Sequence, residues 1–231
     1  MIGADPTALR DAATVILVRR DGDQPAVLMG MRGANAAFMP SKYVFPGGAV
    51  DPEDAAVPLS GLPDADTLAR LEAEIRPESN VTPHQILAAA LRELSEETGL
   101  LIGTAGDSDM VGYDQTGLMP DASGLHYVFR AITPPGRPRR FDARFFLADV
   151  AAVTGDPDDF SCACDELSHL HWVPMAEARV LHLPFITEVV LAEAAAMVAA
   201  AGSGSMRAPQ SVPFFDNRDA RSRFVHIEAS R

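Results

Sequence analysis

The sequence predicts an α/β fold in which a mixed sheet lies between helices. Two β-rich runs near the N-terminus, 13–19 and 26–32, are joined by a turn-forming segment, and a helix with both ends marked covers 82–99. With 231 residues, 47% of them hydrophobic, the chain can bury a substantial core. This composition excludes wholesale disorder and predicts one domain over 1–231.

The charge balance limits the expected partners. The chain has 19 Lys and Arg against 32 Asp and Glu, a formal net charge of −13 at pH 7. Because so acidic a surface repels a phosphate backbone, we expect a small-molecule ligand and no nucleic acid. An anionic ligand would then need a local basic group or a metal ion.

No segment predicts a membrane span or a secretion signal. The most apolar C-terminal stretch, 181–201, is interrupted by a proline and two glutamates, which is typical of a packed helix. The N-terminus lacks the basic-then-apolar order of a signal peptide. Cys162 and Cys164 are too few and too close for a disulfide framework, so we expect free thiols and a cytoplasmic protein.

The N-terminal strands lead into a glycine pair. The runs 13–19 and 26–32 flank Asp21-Gly22-Asp23, which indicates a hairpin. From 38 to 50 a short strand is predicted to run into Gly47-Gly48, and glycine permits backbone conformations that other residues avoid.

A polar stretch, 51–80, follows the glycine pair. It contains four prolines and one predicted helix, 64–75. Too little apolar sequence precedes it to form a separate core, so we interpret it as an insertion in a single domain. Its composition favours a lid or a substrate-specificity element.

The helix after the insertion has clear end signals. Thr82 and Pro83 supply an N-cap and a first-turn proline, and Gly99 supplies a terminating glycine. Its apolar residues recur at helical spacing and predict a buried stripe: Ile86, Leu87, Ala90, Leu91 and Leu94.

The second half of the chain predicts more strands, two helices and a tail. Strands are predicted at 100–102, 126–132, 141–150 and 170–173, and helices at 174–179 and 184–200. The segment of about 206–231 is polar, with short apolar anchors at 212–215 and 224–227, and is interpreted as a C-terminal tail.

Three carboxylates share one face of the predicted helix. Glu93, Glu96 and Glu97 have i, i+3 and i+4 spacing, opposite the leucine stripe. Like charges at this spacing cost roughly 0.2–0.5 kcal/mol per pair in a helix. A divalent cation held by these oxygens would reverse that cost. The alternative is a solvated acidic face without a ligand.

The run Arg92-Glu93-Leu94-Ser95-Glu96-Glu97-Thr98-Gly99-Leu100, with Phe45-Pro46-Gly47-Gly48 upstream, resembles the Nudix box. The resemblance implies a Nudix α/β/α sandwich with a mixed sheet and a C-terminal helix. It also implies that Glu93, Glu96 and Glu97, beside the backbone of Gly48, hold Mg²⁺ or Mn²⁺ against a diphosphate. Arg92 would orient the glutamates, or would form only an i, i+4 surface pair with Glu96.

The box is interrupted in this chain. Gly48 and Arg92 are 44 positions apart where the pattern needs 14, so about 30 residues are inserted. The isolated glutamate of the pattern corresponds to Asp54 when counted from the glycine and to His84 when counted back from Arg92. Glu53 is adjacent to Asp54, so the choice among the three stays open.

An interrupted box, together with Phe38-Met39-Pro40-Ser41 and the run 140–146, is similar to a Nudix subgroup that includes coenzyme A and acyl-CoA diphosphatases. The resemblance implies metal-dependent hydrolysis of a nucleoside diphosphate derivative, with coenzyme A or acyl-CoA as the first choice. The alternatives are an ADP-ribose or NADH pyrophosphatase and a non-catalytic Nudix-fold nucleotide sensor. A homodimer is one open alternative for the assembly.

Several basic residues are candidates for phosphate binding. Arg137 and Arg139 precede Arg140 and Arg144, which alternate along a predicted strand and are the first candidates. The alternative is a charged hairpin tip. Further candidates for substrate binding lie in or near the glycine loop: Arg32, Lys42, Gly47 and Gly48. Glu166, just before a predicted strand, is a candidate for an additional base.

Overall fold

The computed structural model describes residues 8–33, 39–219 and 221–229. Phe38 of the motif above, and residues 220, 230 and 231 of the predicted tail, lie outside these ranges. Within them the strands are β1 Leu9–Arg19, β2 Ala26–Arg32, β3 Tyr43–Val44, β4 Gly47–Ala49, β5 Leu101–Ala105, β6 Leu118–Pro120, β7 His126–Ile132, β8 Arg140–Asp149, β9 Val153–Thr154, β10 Leu167–Pro174, β11 Ser211–Asp216 and β12 Arg223–Glu228. The α-helices are α1 Ala65–Glu72, α2 Pro83–Thr98, α3 Met175–Ala178 and α4 Phe185–Ala201.

A large mixed sheet forms the centre of the fold. Among the described residues it has the order β10-β2-β1-β8-β7-β11-β12, with β3 paired to β2 and β4 paired to β1. β1 runs parallel to β8 and β11 runs parallel to β7, while the other pairs are antiparallel. A smaller sheet has the order β6-β5-β9.

The two faces of the large sheet bury different helices. Val15 and Leu17 of β1 pack with the apolar stripe of α2, whereas Ile16 and Val18 pack with α4. Successive residues of a strand point to opposite faces, so the near-continuous apolar run of β1 serves both cores. The predicted α/β class, with a mixed sheet between helices, is confirmed. No described helix has the length and apolar character needed to cross a membrane.

The predicted ends of the central helix are correct. The side chain of Thr82 accepts a hydrogen bond from the backbone N–H of Gln85, and Gln85 reciprocates in a capping box. Gly99 ends the helix with φ of 77°, a left-handed conformation that favours glycine. All five residues of the predicted stripe are fully buried. These local signals fix α2 and therefore the position of its glutamates.

The insertion contributes to the core, contrary to the expectation of a lid. Leu71 of α1 lies in the core beneath α2, and Asp54 is fully buried. The buried guanidinium of Arg76 donates to Asp11 on β1 (2.7 Å) and to Asp142 on β8 (2.8 Å). The polar composition of the segment does not predict these contacts, because two of the buried residues, Asp54 and Arg76, are themselves charged.

The predicted C-terminal tail is wrong for residues 211–216 and 223–228. The two apolar anchors are strands β11 and β12, which pair with each other and extend the large sheet from β7. Val212 and Phe214 are fully buried. The alternation at 211–216 contains a proline, and a short run of that kind does not distinguish an extended tail from an added strand.

Candidate functional site

The glycine strand β4 lies directly against α2. A Cβ atom added at Gly48 would fall 2.3–2.4 Å from the carboxylate atoms of Glu93, closer than atoms can approach. The backbone N–H of Gly47 donates to Oε2 of Glu97 at 2.7 Å. Glycine is therefore required at 48 by the close approach of Glu93, and at 47 because a Cβ atom there would meet Ala13 and Thr14 of β1 at 2.5–2.7 Å.

We expect Gly48→Ala to displace Glu93 and to reduce any activity that depends on this carboxylate, while the protein remains folded. The added methyl group meets a side chain near its end, which can move at modest cost, so a stability loss of about 1–3 kcal/mol is expected. Chemical denaturation and steady-state kinetics would measure both effects. Gly33→Ala is the control, because a Cβ atom there meets nothing within 4 Å. Equal activity in the two variants would contradict the assignment.

Glu93 and Glu97 are buried, so a solvated acidic face is wrong for both. Burial, together with the charges of Glu93 and Glu166, raises the pKa of Glu97 to about 8 in spite of the hydrogen bond from Gly47. Burial likewise raises the pKa of Glu93 to about 7, although Arg92 opposes the shift. The Oε1 atom of Glu97 is buried and has no hydrogen-bond partner. A buried carboxylate oxygen without a partner is costly unless something outside the chain pairs with it.

The carboxylates fit a divalent cation by their chemistry. Hard oxygen donors suit Mg²⁺ and Mn²⁺, and the orphaned oxygen of Glu97 is available to one. In the described part of the chain, no three His, Cys, Asp or Glu side chains already converge in an arrangement that could hold a metal. The structure brings Glu93 and Glu97 to the glycine strand, whereas Glu96, 30% exposed in its side chain, is hydrogen-bonded to Arg92.

Arg92 ties the glutamates to the insertion. Its guanidinium donates to Asp54 through Nε (2.9 Å) and Nη2 (3.2 Å) and to the carbonyl oxygen of Ala49 (2.9 Å). Nη1 donates to Glu93 (2.9 Å) and Glu96 (3.2 Å). Burial lowers the pKa of Arg92, but the hydrogen bond to Asp54 and the neighbouring negative charges outweigh that effect and raise it. Arg92 thus hydrogen-bonds Glu93, Asp54 and Ala49 as well as Glu96, so a simple i, i+4 surface pair is wrong for it.

The pairing of Arg92 distinguishes the three residues left open for the isolated box glutamate. Asp54 is the one whose carboxylate bonds Arg92, and it also accepts the backbone N–H of Asp51 at 2.8 Å. His84 instead contacts the carbonyl oxygen of Val57. Of these candidates, Asp54 is thus the one that the structure ties to the glutamates, through Arg92.

Glu166 lies beside the buried pair of glutamates. Its charge acts on the pKa of both Glu93 and Glu97, and its side chain is 53% exposed. Its carboxylate accepts a hydrogen bond from Nη2 of Arg32 at 2.5 Å, and the charge of Arg32 also acts on Glu97. The carboxylate and the arginine come from segments that are distant in sequence and adjacent in the β2–β10 ladder.

Arg140 and Arg144, expected to bind substrate phosphate, are engaged within the protein. Arg144 is fully buried and donates to Asp11 and to the backbone carbonyl of Asp142. Arg140 donates to the carbonyl oxygens of Thr133 and Asn217, both at 3.1 Å. The structure therefore does not bring either guanidinium to the glutamates. Alternation along a strand predicted a shared face for Asp142 and Arg144 but could not show that the face is buried.

The remaining basic candidates differ in position. Lys42 donates from Nζ to the carbonyl oxygen of Leu183 at 3.4 Å, on the segment that follows β10 and α3. Arg137 and Arg139 are exposed on the loop between β7 and β8. Sequence reasoning missed Asp11 and Arg76 as buried partners of Asp142 and Arg144, because only the folded sheet places Asp11 beside Arg76 and Arg144.

Comparison with known proteins supports the resemblance found in the sequence. No protein-family model matches the chain. The Caenorhabditis elegans protein "Putative nudix hydrolase 7" is 30% identical over 193 residues, which cover 76% of this chain and 55% of that protein. The chain therefore spans about half the length of the curated relative it matches.

Solved structures share the fold. A NUDIX hydrolase from Alicyclobacillus acidocaldarius has 24% sequence identity and a TM-score of 0.60, and the match covers 87% of this chain and 99% of that one. A C. elegans Ap4A hydrolase binary complex has 15% identity and a TM-score of 0.47, with 83% and 99% of the two chains covered. The first likeness confirms the predicted Nudix fold.

Proposed function

Since the chain has the Nudix fold, and its curated relative supports assignment to the Nudix hydrolase family, we propose that it is a metal-dependent hydrolase that cleaves the diphosphate of a nucleoside diphosphate derivative. The observation that carries the proposal is the buried Glu93–Glu97 pair against Gly47 and Gly48. Two buried carboxylates, one with an orphaned oxygen, need a cation to compensate their charge.

Glu93, Glu97 and the backbone of Gly48 would hold Mg²⁺ or Mn²⁺, with Glu96 as a third ligand once its contact with Arg92 is released. When bound, such an ion neutralises a diphosphate and lowers the pKa of water. The choice between the two ions is part of the proposal.

The chain's own residues supply orientation and proton transfer. Arg92 fixes the Glu93 carboxylate through a hydrogen bond while remaining anchored on Asp54. Glu166 is the half-exposed carboxylate beside the buried pair, so it can accept a proton from water at the rim of the site. Water can reach this carboxylate, whereas the buried oxygen of Glu97 is enclosed.

Coenzyme A or an acyl-CoA remains the first proposed substrate, and ADP-ribose or NADH the second. The interrupted box supports coenzyme A. Arg140 and Arg144, expected to bind substrate phosphate, do not support this choice, because both hydrogen-bond protein groups. A non-catalytic sensor is disfavoured, since a binding protein has no chemical need for two buried carboxylates. The cytoplasmic location and the homodimer stay predictions.

A panel of diphosphates tests the proposal: coenzyme A, an acyl-CoA, ADP-ribose, NADH and dinucleoside polyphosphates, each with Mg²⁺, Mn²⁺ and a chelator. We expect metal-dependent release of two phosphorylated products from at least one of them. Absence of turnover across the panel, in a protein that binds Mn²⁺ and nucleotide, would favour the sensor.

A further inference from the structure

Arg32 is paired with an exposed carboxylate and acts electrostatically on the buried pair. Its Nη2 donates to Glu166 at 2.5 Å, and its charge weakly opposes the rise that burial causes in the pKa of Glu97. Arg32 and Leu167 are cross-strand partners in the β2–β10 ladder, which fixes Arg32 next to the residue that follows Glu166. The positions of Arg32 and Glu166 are thus set by strand pairing, which brings their backbones together.

The hydrogen-bonding capacity of Arg32 is largely unused. A guanidinium has five N–H donors. Within the described ranges Arg32 makes one side-chain hydrogen bond, and its Nε is buried without a partner. Arg92, the other arginine at the site, uses all three nitrogens on Asp54, Glu93, Glu96 and Ala49. Arg32 is therefore the guanidinium at the site with donors to spare.

We propose that Arg32 exchanges partners when a diphosphate binds: it leaves Glu166 for a phosphate oxygen and so frees the Glu166 carboxylate. A phosphate group can accept two parallel hydrogen bonds from one arginine, whereas Arg32 makes a single hydrogen bond to Glu166. Before binding, the two charges of the ion pair neutralise each other. After the exchange Arg32 binds the phosphate and the Glu166 carboxylate is free to accept a proton from water. The inference deepens the proposed function and rests on it.

The exchange makes Glu166 a competitor of the substrate. Removing its charge should tighten binding of a diphosphate while slowing turnover, because Arg32 is then free and the proton acceptor is lost. Simple electrostatics also predicts tighter anion binding, but that effect would not depend on Arg32. The two explanations separate when Arg32 is absent.

The test is a binding cycle with adenosine 5′-(α,β-methylene)diphosphate, which cannot be hydrolysed, at fixed saturating Mg²⁺ by titration calorimetry. We expect Glu166→Gln to bind about two- to fivefold more tightly than wild type, the worth of an exposed ion pair. Arg32→Gln should bind at least about tenfold more weakly, since hydrogen bonds to a charged group are lost. The double variant should bind like Arg32→Gln.

Asp158→Asn is the matched control. Asp158 lies on the same loop as Glu166, and its side chain, 59% exposed, pairs with Arg19 at 2.9 Å. The variant therefore removes one negative charge and one exposed ion pair, as Glu166→Gln does. Its affinity should equal that of wild type. Equal tightening by Glu166→Gln with and without Arg32, or none in either background, would overturn the exchange. A wild-type protein that cleaves the panel but shows either result would leave the proposed function standing; failure to bind or cleave any diphosphate would remove both.

Discussion

Glu97→Gln should lower kcat by about 10²–10³ without unfolding the protein, the cost of losing one electrostatic stabiliser of the reaction. Glu97 is 1% exposed, its Oε2 is fixed by Gly47, and its Oε1 has no partner. The glutamine retains the shape of the side chain but removes the charge that a cation would pair with. The same change at Glu96 is expected to cost less, because that carboxylate is partly exposed and shares Arg92.

The stability of the variant in the absence of metal separates a ligand from a structural residue. Burial raises the pKa of Glu97 to about 8, so keeping this carboxyl group in the folded protein costs stability at neutral pH. Glutamine removes that cost, and the Tm of the chelator-treated protein should rise by about 2–4 °C, which corresponds to ~1 kcal/mol for a chain of this size. Added Mn²⁺ should stabilise wild type and have little effect on the variant. Glu188→Gln, at an exposed position of α4, should behave as wild type throughout. Turnover within threefold of wild type, with unchanged metal dependence, would sink the assignment.

The parts of this site that the sequence predicts are those that depend only on residues close together in the chain. The spacing of Glu93 and Glu97, the cap at Thr82 and the glycine at Gly99 all lie within one helix, whose periodicity and end signals are independent of the rest of the fold. The glycine pair is predicted by the motif, and the structure supplies the reason, which is the close approach of Glu93 to Gly48 and of β1 to Gly47.

The parts that the sequence does not predict depend on contacts between distant strands. The alternation of charged and aromatic residues in β8 is compatible with an exposed hairpin strand. In the structure β8 instead lies inside the sheet, between β1 and β7. Arg144 then pairs with Asp11, which is 133 positions away. The same holds for Glu166, whose place beside Arg32 follows from the pairing of β10 with β2.

The second large effect is expected from Arg76→Met, which should destabilise the protein by about 3 kcal/mol and lower its Tm by about 6–12 °C. Arg76 is 2% exposed and donates to Asp11 and Asp142 from the insertion. Methionine retains the aliphatic packing of the side chain, so the loss of stability measures the contribution of the buried guanidinium. Asp142 keeps two hydrogen bonds from Arg130, which holds the cost at the lower end of the range for a broken buried pair.

The pH dependence of that loss identifies its cause. Burial by itself raises the pKa of Asp142, but the hydrogen bond from Arg130, the charges of Arg144 and Arg130, and the hydrogen bond from Arg76 outweigh it and hold the pKa at about 2. A depressed carboxyl pKa stabilises the fold above about pH 4, and this contribution, about 2 kcal/mol, is lost as pH falls towards 2. The curve of Arg76→Met should therefore fall less steeply than that of wild type between pH 4 and 2. Arg10→Met, which breaks an exposed 3.5 Å pair with Asp51, should cost less than about 1 kcal/mol and run parallel to wild type. If the two variants are equally stable, the insertion is not anchored through this cluster.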